Sequence, residues 1–301
     1  NTTRRQRQMC IRDRHMTKLT NFLVLFLVLN FSSYSQNFLS TSGSSIVNEN
    51  GDTIIFRGMG LGGWMVQEGY MMAPGGFSST QYQIKDRLIE LIGEEETDVF
   101  YHNWLSNHVR KIDIDSMKQW GFNLIRVPIH YNLFTEPIEN EPFPNAYTEK
   151  EIGFTLLDSL LSWCKQNQIY LMIDLHAAPG GQGYNADISD YDPTKPSLWE
   201  STLNQNKTVE LWRRLASRYK NEEWIAGYDL INEPNWDIPG GLLLRQLYEK
   251  ITEAIRSEGD NHILFIEGNW FANDFTGLTP PWDDNFVYSP HKYWSPVDQG
   301  Y

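Results

Sequence analysis

The sequence predicts a (β/α)8 barrel, with about six of its eight strand–helix units present, on three observations. Short apolar segments alternate with amphipathic ones from residue 53 to residue 290, the pattern of a parallel sheet covered by helices through right-handed crossovers. Polar residues of catalytic type recur at the C-terminal end of nearly every predicted strand, which is where a barrel builds its site. No G-x-G-x-x-G follows the first strand, as a dinucleotide-binding open sheet would require. The glycine-rich run Gly58 to Gly63 leads into Trp64 instead of opening a helix, so it reads poorly as a phosphate cradle.

Taken in order, the polar stretch 36–53 holds Asn50-Gly51 between Ile46-Val47 and Thr53 to Phe56, which predicts a hairpin. Strands follow at 53–59, 123–128, 169–175, 225–232, 262–267 and 285–290. Helices are expected near 80–92, 97–120, 151–167, 204–220 and 241–258. Two further units of roughly 30 residues each would close a barrel. The expectation is therefore a C-terminally truncated domain over 36–301, with its first and sixth strands left as edges.

The N-terminus reads differently. Met16 and Lys18 give a basic start, Phe22 to Leu29 a compact apolar run, and Ser32, Ser33 and Ser35 small residues before Gln36. That is signal-peptide anatomy over 16–35 and is short for a bilayer span. It implies a secreted or periplasmic protein with no membrane attachment once processed. Residues 1–15 resemble neither signal nor domain and are read as a non-native leader.

Composition narrows the partners. Residues 1–35 carry six basic side chains against Asp13; with a total of −13, the remainder carries −18. So acidic a body disfavours nucleic acid and anionic lipid and accommodates neutral polysaccharide. The load of 11 Trp, 15 Tyr and 15 Phe exceeds ordinary core filling, and flat aromatic faces suit sugar rings. Of the two cysteines, Cys164 lies on the helical stripe Leu156, Leu157, Leu160, Leu161 and is expected to be a core thiol. Thiol catalysis and zinc–thiolate sites are excluded, and no cofactor is implied.

Asn232-Glu233-Pro234 ends the apolar run Ile225 to Ile231. An acid beside an amide at a strand mouth is what acid-catalysed glycosidic cleavage needs, and Pro234 is expected to hold Glu233 in extended backbone. The two-residue period puts Arg126, Pro128 and His130 on one strand face, and Asp174 and His176 on another. An inward arginine needs an anionic partner, and Asp174 and Asp229 read as inner hydrogen-bonding residues. His291 and Tyr293 follow the last strand. Trp64, Trp199, Trp236, Trp270 and Trp294 fall in loops at the same mouth, either stacking on sugars or packing the loops.

Together, Ile-Arg126-Val-Pro, Asp-Leu-His176, Asn232-Glu233-Pro and His291-Lys-Tyr293 resemble the strand-end motifs of glycoside hydrolase family 5, the cellulase family of retaining (β/α)8 hydrolases, from about Ile54 to Tyr293. The resemblance implies that Glu233 is the general acid/base and that Asn232 meets the substrate 2-hydroxyl. It further implies that Arg126 supports the nucleophile and that His176, His291 and Tyr293 surround the cleaved bond; from their loop positions, Trp64 and Trp270 are the tryptophans expected to stack on the sugar. The family's nucleophile is a second glutamate on strand seven, which this chain does not reach; Glu267 is the one alternative in the sequence, at a position the family gives to a structural or subsite residue. Retaining hydrolysis needs two carboxyl groups about 5–5.5 Å apart, so the 301 residues alone are expected to be inactive. Leu61-Gly-Gly-Trp64 and Asp174 to Gln182 resemble the branch of exo-acting β-1,3-glucanases, but 183–201 departs from it. The expected ligand is a β-linked polysaccharide or oligosaccharide, with linkage and exo or endo mode open. Two rivals remain: a non-catalytic carbohydrate-binding barrel, and a metal-dependent hydrolase using His176, His291, Glu233 and Asp229.

Overall fold

The computed structural model describes residues 38–72, 76 and 78–293. The expected leader over 1–15, the expected signal segment over 16–35 and Trp294 lie outside the described residues. Two short strands, β1 (Ser40–Ser42) and β2 (Ser45–Val47), pair antiparallel. Six strands then form one parallel sheet in sequence order: β3 (Gly58–Gly60), β4 (Leu124–His130), β5 (Tyr170–Ala177), β6 (Ile225–Asp229), β7 (Ile263–Ile266) and β8 (Phe286–Tyr288). This is the (β/α)8 type of sheet, with β3 and β8 at the two ends of its described order. The crossovers run through α1 (Gln81–Ile92), α2 (Glu94–Asn107), α3 (Lys111–Gln119), α4 (Glu151–Asn167), α5 (Thr202–Tyr219) and α6 (Leu242–Ser257). No described helix is long and apolar enough to cross a membrane.

The sheet's two faces do different work. One face packs on the helices through Ile125, Val127, Leu171, Ile173, Leu264 and Ile266 together with Leu157, Leu160, Leu211 and Leu247. Cys164 belongs to that layer, and burial pushes its thiol up to about 12. The inner face begins apolar, with Leu124, Met172, Ile263 and Phe265, and is floored by Leu39, Ile46, Ile54 and Phe56 from the N-terminal segment. Two residues further along each strand the same face presents Arg126, Asp174 and Glu267, so strand alternation lifts the charged residues above an apolar floor. Gly227 makes room beneath them: a Cβ there would lie 2.7 Å from the Phe265 ring and 2.3 Å from the Ile263 carbonyl.

Several expected boundaries move, and three of the shifts have a visible cause. Asn50-Gly51 does form a turn, with a Val47–Thr53 bridge beyond it, but the paired strands meet earlier, across Gly43-Ser44. The first sheet strand starts at Gly58 because Asn123 bonds the preceding backbone with its side chain, accepting from Arg57 N at 2.6 Å and donating to Ile55 O at 2.9 Å. The helix expected over 97–120 breaks in two. Arg110 is extended (φ −133°), its N–H donates to Asp113 Oδ2 at 2.8 Å, and this caps α3 afresh.

Candidate active site

The site grows from the strand ends. Arg126 on β4 reaches three carboxylates: Asp174 Oδ2 at 3.0 Å, Asp229 Oδ2 at 2.8 Å and Glu267 Oε1 at 3.2 Å. It also donates to Asn232 Oδ1 at 2.9 Å. Burial works against its charge, but the three acids outweigh that and hold it firmly protonated. For Asp229, burial and the Glu267 charge raise the pKa well above the ordinary carboxylate range against the pull of Arg126. Asp174 Oδ1 and Asp229 Oδ1 are buried without hydrogen-bond partners. Three acids around one arginine thus leave negative charge in excess.

His176 stands between two acids, with Nδ1 2.7 Å from Asp174 Oδ2 and Nε2 3.3 Å from Glu68 Oε1. Burial opposes its charge, yet the two carboxylates raise its pKa to about 9. The amide of Asn232 lies 3.4 Å from the same Nε2. Glu68 is 5 % exposed and was not singled out from the sequence, since it sits in a loop with no strand period to flag it. Gln182 was also missed: fully buried, it donates to the carbonyls of His176 and Asn232 at 2.6 and 2.8 Å, tying the ends of β5 and β6 together.

Glu233 Oε1 meets His291 Nδ1 at 2.6 Å, and His291 Nε2 lies 3.0 Å from Glu267 Oε1. Burial opposes charge on His291, but its two carboxylate partners raise its pKa to about 10. Tyr293 is 83 % exposed at the rim. The backbone of Glu233 corrects the sequence expectation: its φ is +42°, left-handed instead of extended. The rule for residues before proline is overridden by a tertiary bond, Glu233 N–H to Glu267 Oε2 at 2.7 Å. A hydrogen bond to a charged acceptor contributes about 1.5–3 kcal/mol, comparable to the roughly 1–3 kcal/mol cost of such backbone.

His130 leaves the face of Arg126. The register slips between Ile129 and His130, and the ring turns to Asp190 Oδ2 at 2.9 Å. Among the tryptophans, Trp64 is a correction. It is 2 % exposed, with its indole N–H on Leu105 O at 2.9 Å, so it fills the core and has no free face for a sugar. Trp199 is likewise enclosed and donates to Gln182 O. Trp236 is covered by Tyr184, stacked at 3.9 Å. Trp270 is 49 % exposed and stands on an unusual turn, where Trp270, Phe271 and Ala272 all have φ between 52° and 59°. That turn is tied to the glutamate loop by Phe271 N–H to Pro234 O and by Asn269, which bonds both backbone groups of Trp236.

Asp229, Glu267 and His291 approach closely enough to hold a cation. However, Arg126 already occupies the first two acids, so the pocket is built around a guanidinium. Nor do His176, His291, Glu233 and Asp229 form one ligand set, because both ring nitrogens of His176 face Asp174 and Glu68. The arrangement suits placing a proton donor beside a polyhydroxy ligand.

The family model for cellulases, glycosyl hydrolase family 5, matches residues 89–300. The chain belongs to glycosyl hydrolase family 5. A β-xylosidase of Phanerodontia chrysosporium is 35 % identical to this family 5 chain over 259 residues, 85 % of the chain and 52 % of that protein. A probable glucan 1,3-beta-glucosidase A of Aspergillus niger is 32 % identical over 245 residues, 79 % of the chain and 55 % of its own length. Endoglucanase C of Acetivibrio thermocellus is 28 % identical over 238 residues, 78 % and 57 % respectively. The chain thus spans about half the length of the curated relatives it matches. A solved β-glucanase of Saccharophagus degradans, in complex with cellotetraose, shares the fold at 20 % identity, with a TM-score of 0.54 over 89 % of this chain and 65 % of that one.

Proposed function

We propose that this chain carries the proton-donating half of a retaining glycoside hydrolase acting on β-linked glucan or xylan, with Glu233 as general acid/base. The observation that carries the reading is convergence: Arg126, His176 and His291, from three different strand ends, gather at Glu233 or at Asn232 before it. In the first step Glu233 gives its proton to the departing glycosidic oxygen while a carboxylate attacks the anomeric carbon. In the second it takes a proton from water, which releases the sugar with its configuration retained. Asn232, held by Arg126 through its side-chain oxygen, keeps its amide N–H groups for a sugar hydroxyl.

Asp174, Asp229 and Glu267 are fully buried and bonded to Arg126, which makes each of them a poor attacking group. The proposed nucleophile is therefore a glutamate outside the described residues. The relatives support β-glucosidic and β-xylosidic substrates alike, as their names span both. We also propose that residues 16–35 direct export, to be tested by N-terminal sequencing of the processed product.

The deciding experiment expresses the complete reading frame and follows laminari-, cello- and xylo-oligosaccharide hydrolysis by proton NMR. The β-anomer of the product appears first, and Glu233→Ala removes turnover. Hydrolysis undiminished in Glu233→Ala, or an α-anomer appearing first, would defeat the proposal. Residues 36–301 alone are expected to bind oligosaccharide without cleaving it, and cleavage by them would reassign the nucleophile.

A further inference from the structure

The left-handed backbone of Glu233 needs something to hold it, and the surroundings name one side chain. Glu267 ends β7, the strand beside β6, and is completely enclosed. Its Oε2 accepts the Glu233 N–H at 2.7 Å. Its Oε1 lies 3.2 Å from Arg126 Nη2 and 3.0 Å from His291 Nε2. The far nitrogen of that same imidazole lies 2.6 Å from the Glu233 carboxylate. Glu267 therefore grips Glu233 twice, directly at the backbone and through His291 at the side chain.

Glu267 is itself fixed from behind. Its carbonyl accepts the Tyr248 hydroxyl at 2.9 Å. The following Gly268 passes so close to Asp274 that a Cβ would lie 2.5 Å from its carbonyl oxygen. Both carboxylate oxygens are occupied and neither faces solvent, which is the arrangement of a clamp and not of a group that attacks carbon.

We propose that Glu267 is a positioning residue for the proton donor, fixing the backbone and side chain of Glu233 relative to the scissile bond. The inference rests on the assignment of Glu233 as acid/base. It distinguishes length from charge: Glu267→Asp keeps the charge but withdraws the acceptor from Glu233 N–H, whereas Glu267→Gln keeps the reach and loses the charge.

The test uses the complete protein and an oligosaccharide that the wild type cleaves. Glu267→Asp is expected to lose about 10²-fold in kcat, the effect of a slightly misplaced reacting group, with KM within about threefold. Glu267→Gln retains more turnover than Glu267→Asp, and azide restores neither. The Glu233 amide proton is expected far downfield in the wild type, from its short bond to a carboxylate, and should move upfield in Glu267→Asp, a readout that global destabilisation of a still-folded chain would not produce at that one residue. Wild-type turnover in Glu267→Asp, or an α-glycosyl azide formed by Glu267→Gln, would overturn the proposal, the latter by making Glu267 the nucleophile. If the wild type cleaves no β-glycoside, the acid/base assignment fails instead. The amide shift then still decides whether Glu267 holds Glu233, and an unmoved resonance in Glu267→Asp overturns the clamp.

Discussion

Two buried histidine–aspartate pairs sit at opposite ends of the sheet's strands, and they are wired differently. Just before β7, His262 Nδ1 meets Asp260 Oδ1 at 2.7 Å, and its Nε2 lies 3.0 Å from the backbone carbonyl of Glu222. The second oxygen of Asp260 takes the Tyr228 hydroxyl at 2.7 Å. Near the end of β5, His176 also holds an aspartate, but its other nitrogen faces a second carboxylate, Glu68. Each carboxyl oxygen of Asp260 has a partner, while Asp174 and Asp229 each keep one buried oxygen without a partner. Satisfied polar clusters fix a fold, whereas clusters with surplus charge and open valences mark sites built for a ligand.

The most severe way to probe that difference is Arg126→Leu, which strands three buried carboxylates. Removing one partner of a buried ion pair costs about 3–5 kcal/mol, so urea denaturation should show a loss of that size or no folded protein. An unchanged midpoint would mean that the acids at the mouth are already neutral. His262→Ala should cost about 2–3 kcal/mol by removing the imidazole that bridges Asp260 and the Glu222 carbonyl, with kcat/KM of the folded fraction unchanged. His176→Ala should instead remove at least about 10²-fold of turnover from the folded fraction. Equal behaviour of the two variants would erase the distinction.

Alkali sharpens it further. His176 and His291 move from 6.5 to about 9 and about 10 on folding. Between those values the folded chain holds protons that the unfolded chain releases. The stability they contribute is complete below pH 6.5 and is lost as pH rises through 9 and 10. Calorimetry should show Tm falling by about 5 °C or more from pH 7 to pH 10, and most of that slope should vanish in a His176→Gln, His291→Gln double variant. The smallest effect belongs to the rim. Trp270→Ala should weaken oligosaccharide binding by about 1 kcal/mol, the scale of an aromatic contact, and leave Tm unmoved. Trp64→Ala should cost about 3–5 kcal/mol as a core cavity, with sugar contact playing no part.

Much of the site was legible because strand alternation is rigid. Once Leu124, Met172 and Phe265 are read as inward, Arg126, Asp174 and Glu267 must follow them, and Asn232-Glu233 marks the mouth by chemistry alone. What escaped depends on contacts between segments far apart in sequence. Glu68 comes from a loop of no period, Gln182 matters through two carbonyls on different strands, and Trp64 is buried by the α2 backbone it bonds. The left-handed Glu233 is the clearest case, since a local proline rule yields to a carboxylate 34 residues away. The helix break at Arg110 is the local exception, where an Asp113 side chain three residues on decides a boundary that apolar periodicity left unmarked.

The three successive left-handed residues Trp270, Phe271 and Ala272 give the protein engineer an inverted rule. Glycine usually weakens a scaffold, but at Ala272, where only a methyl group is lost, it would relieve stored torsion and raise heat tolerance. The exchange would be paid in stiffness, leaving an aromatic platform that wanders where it now stands still.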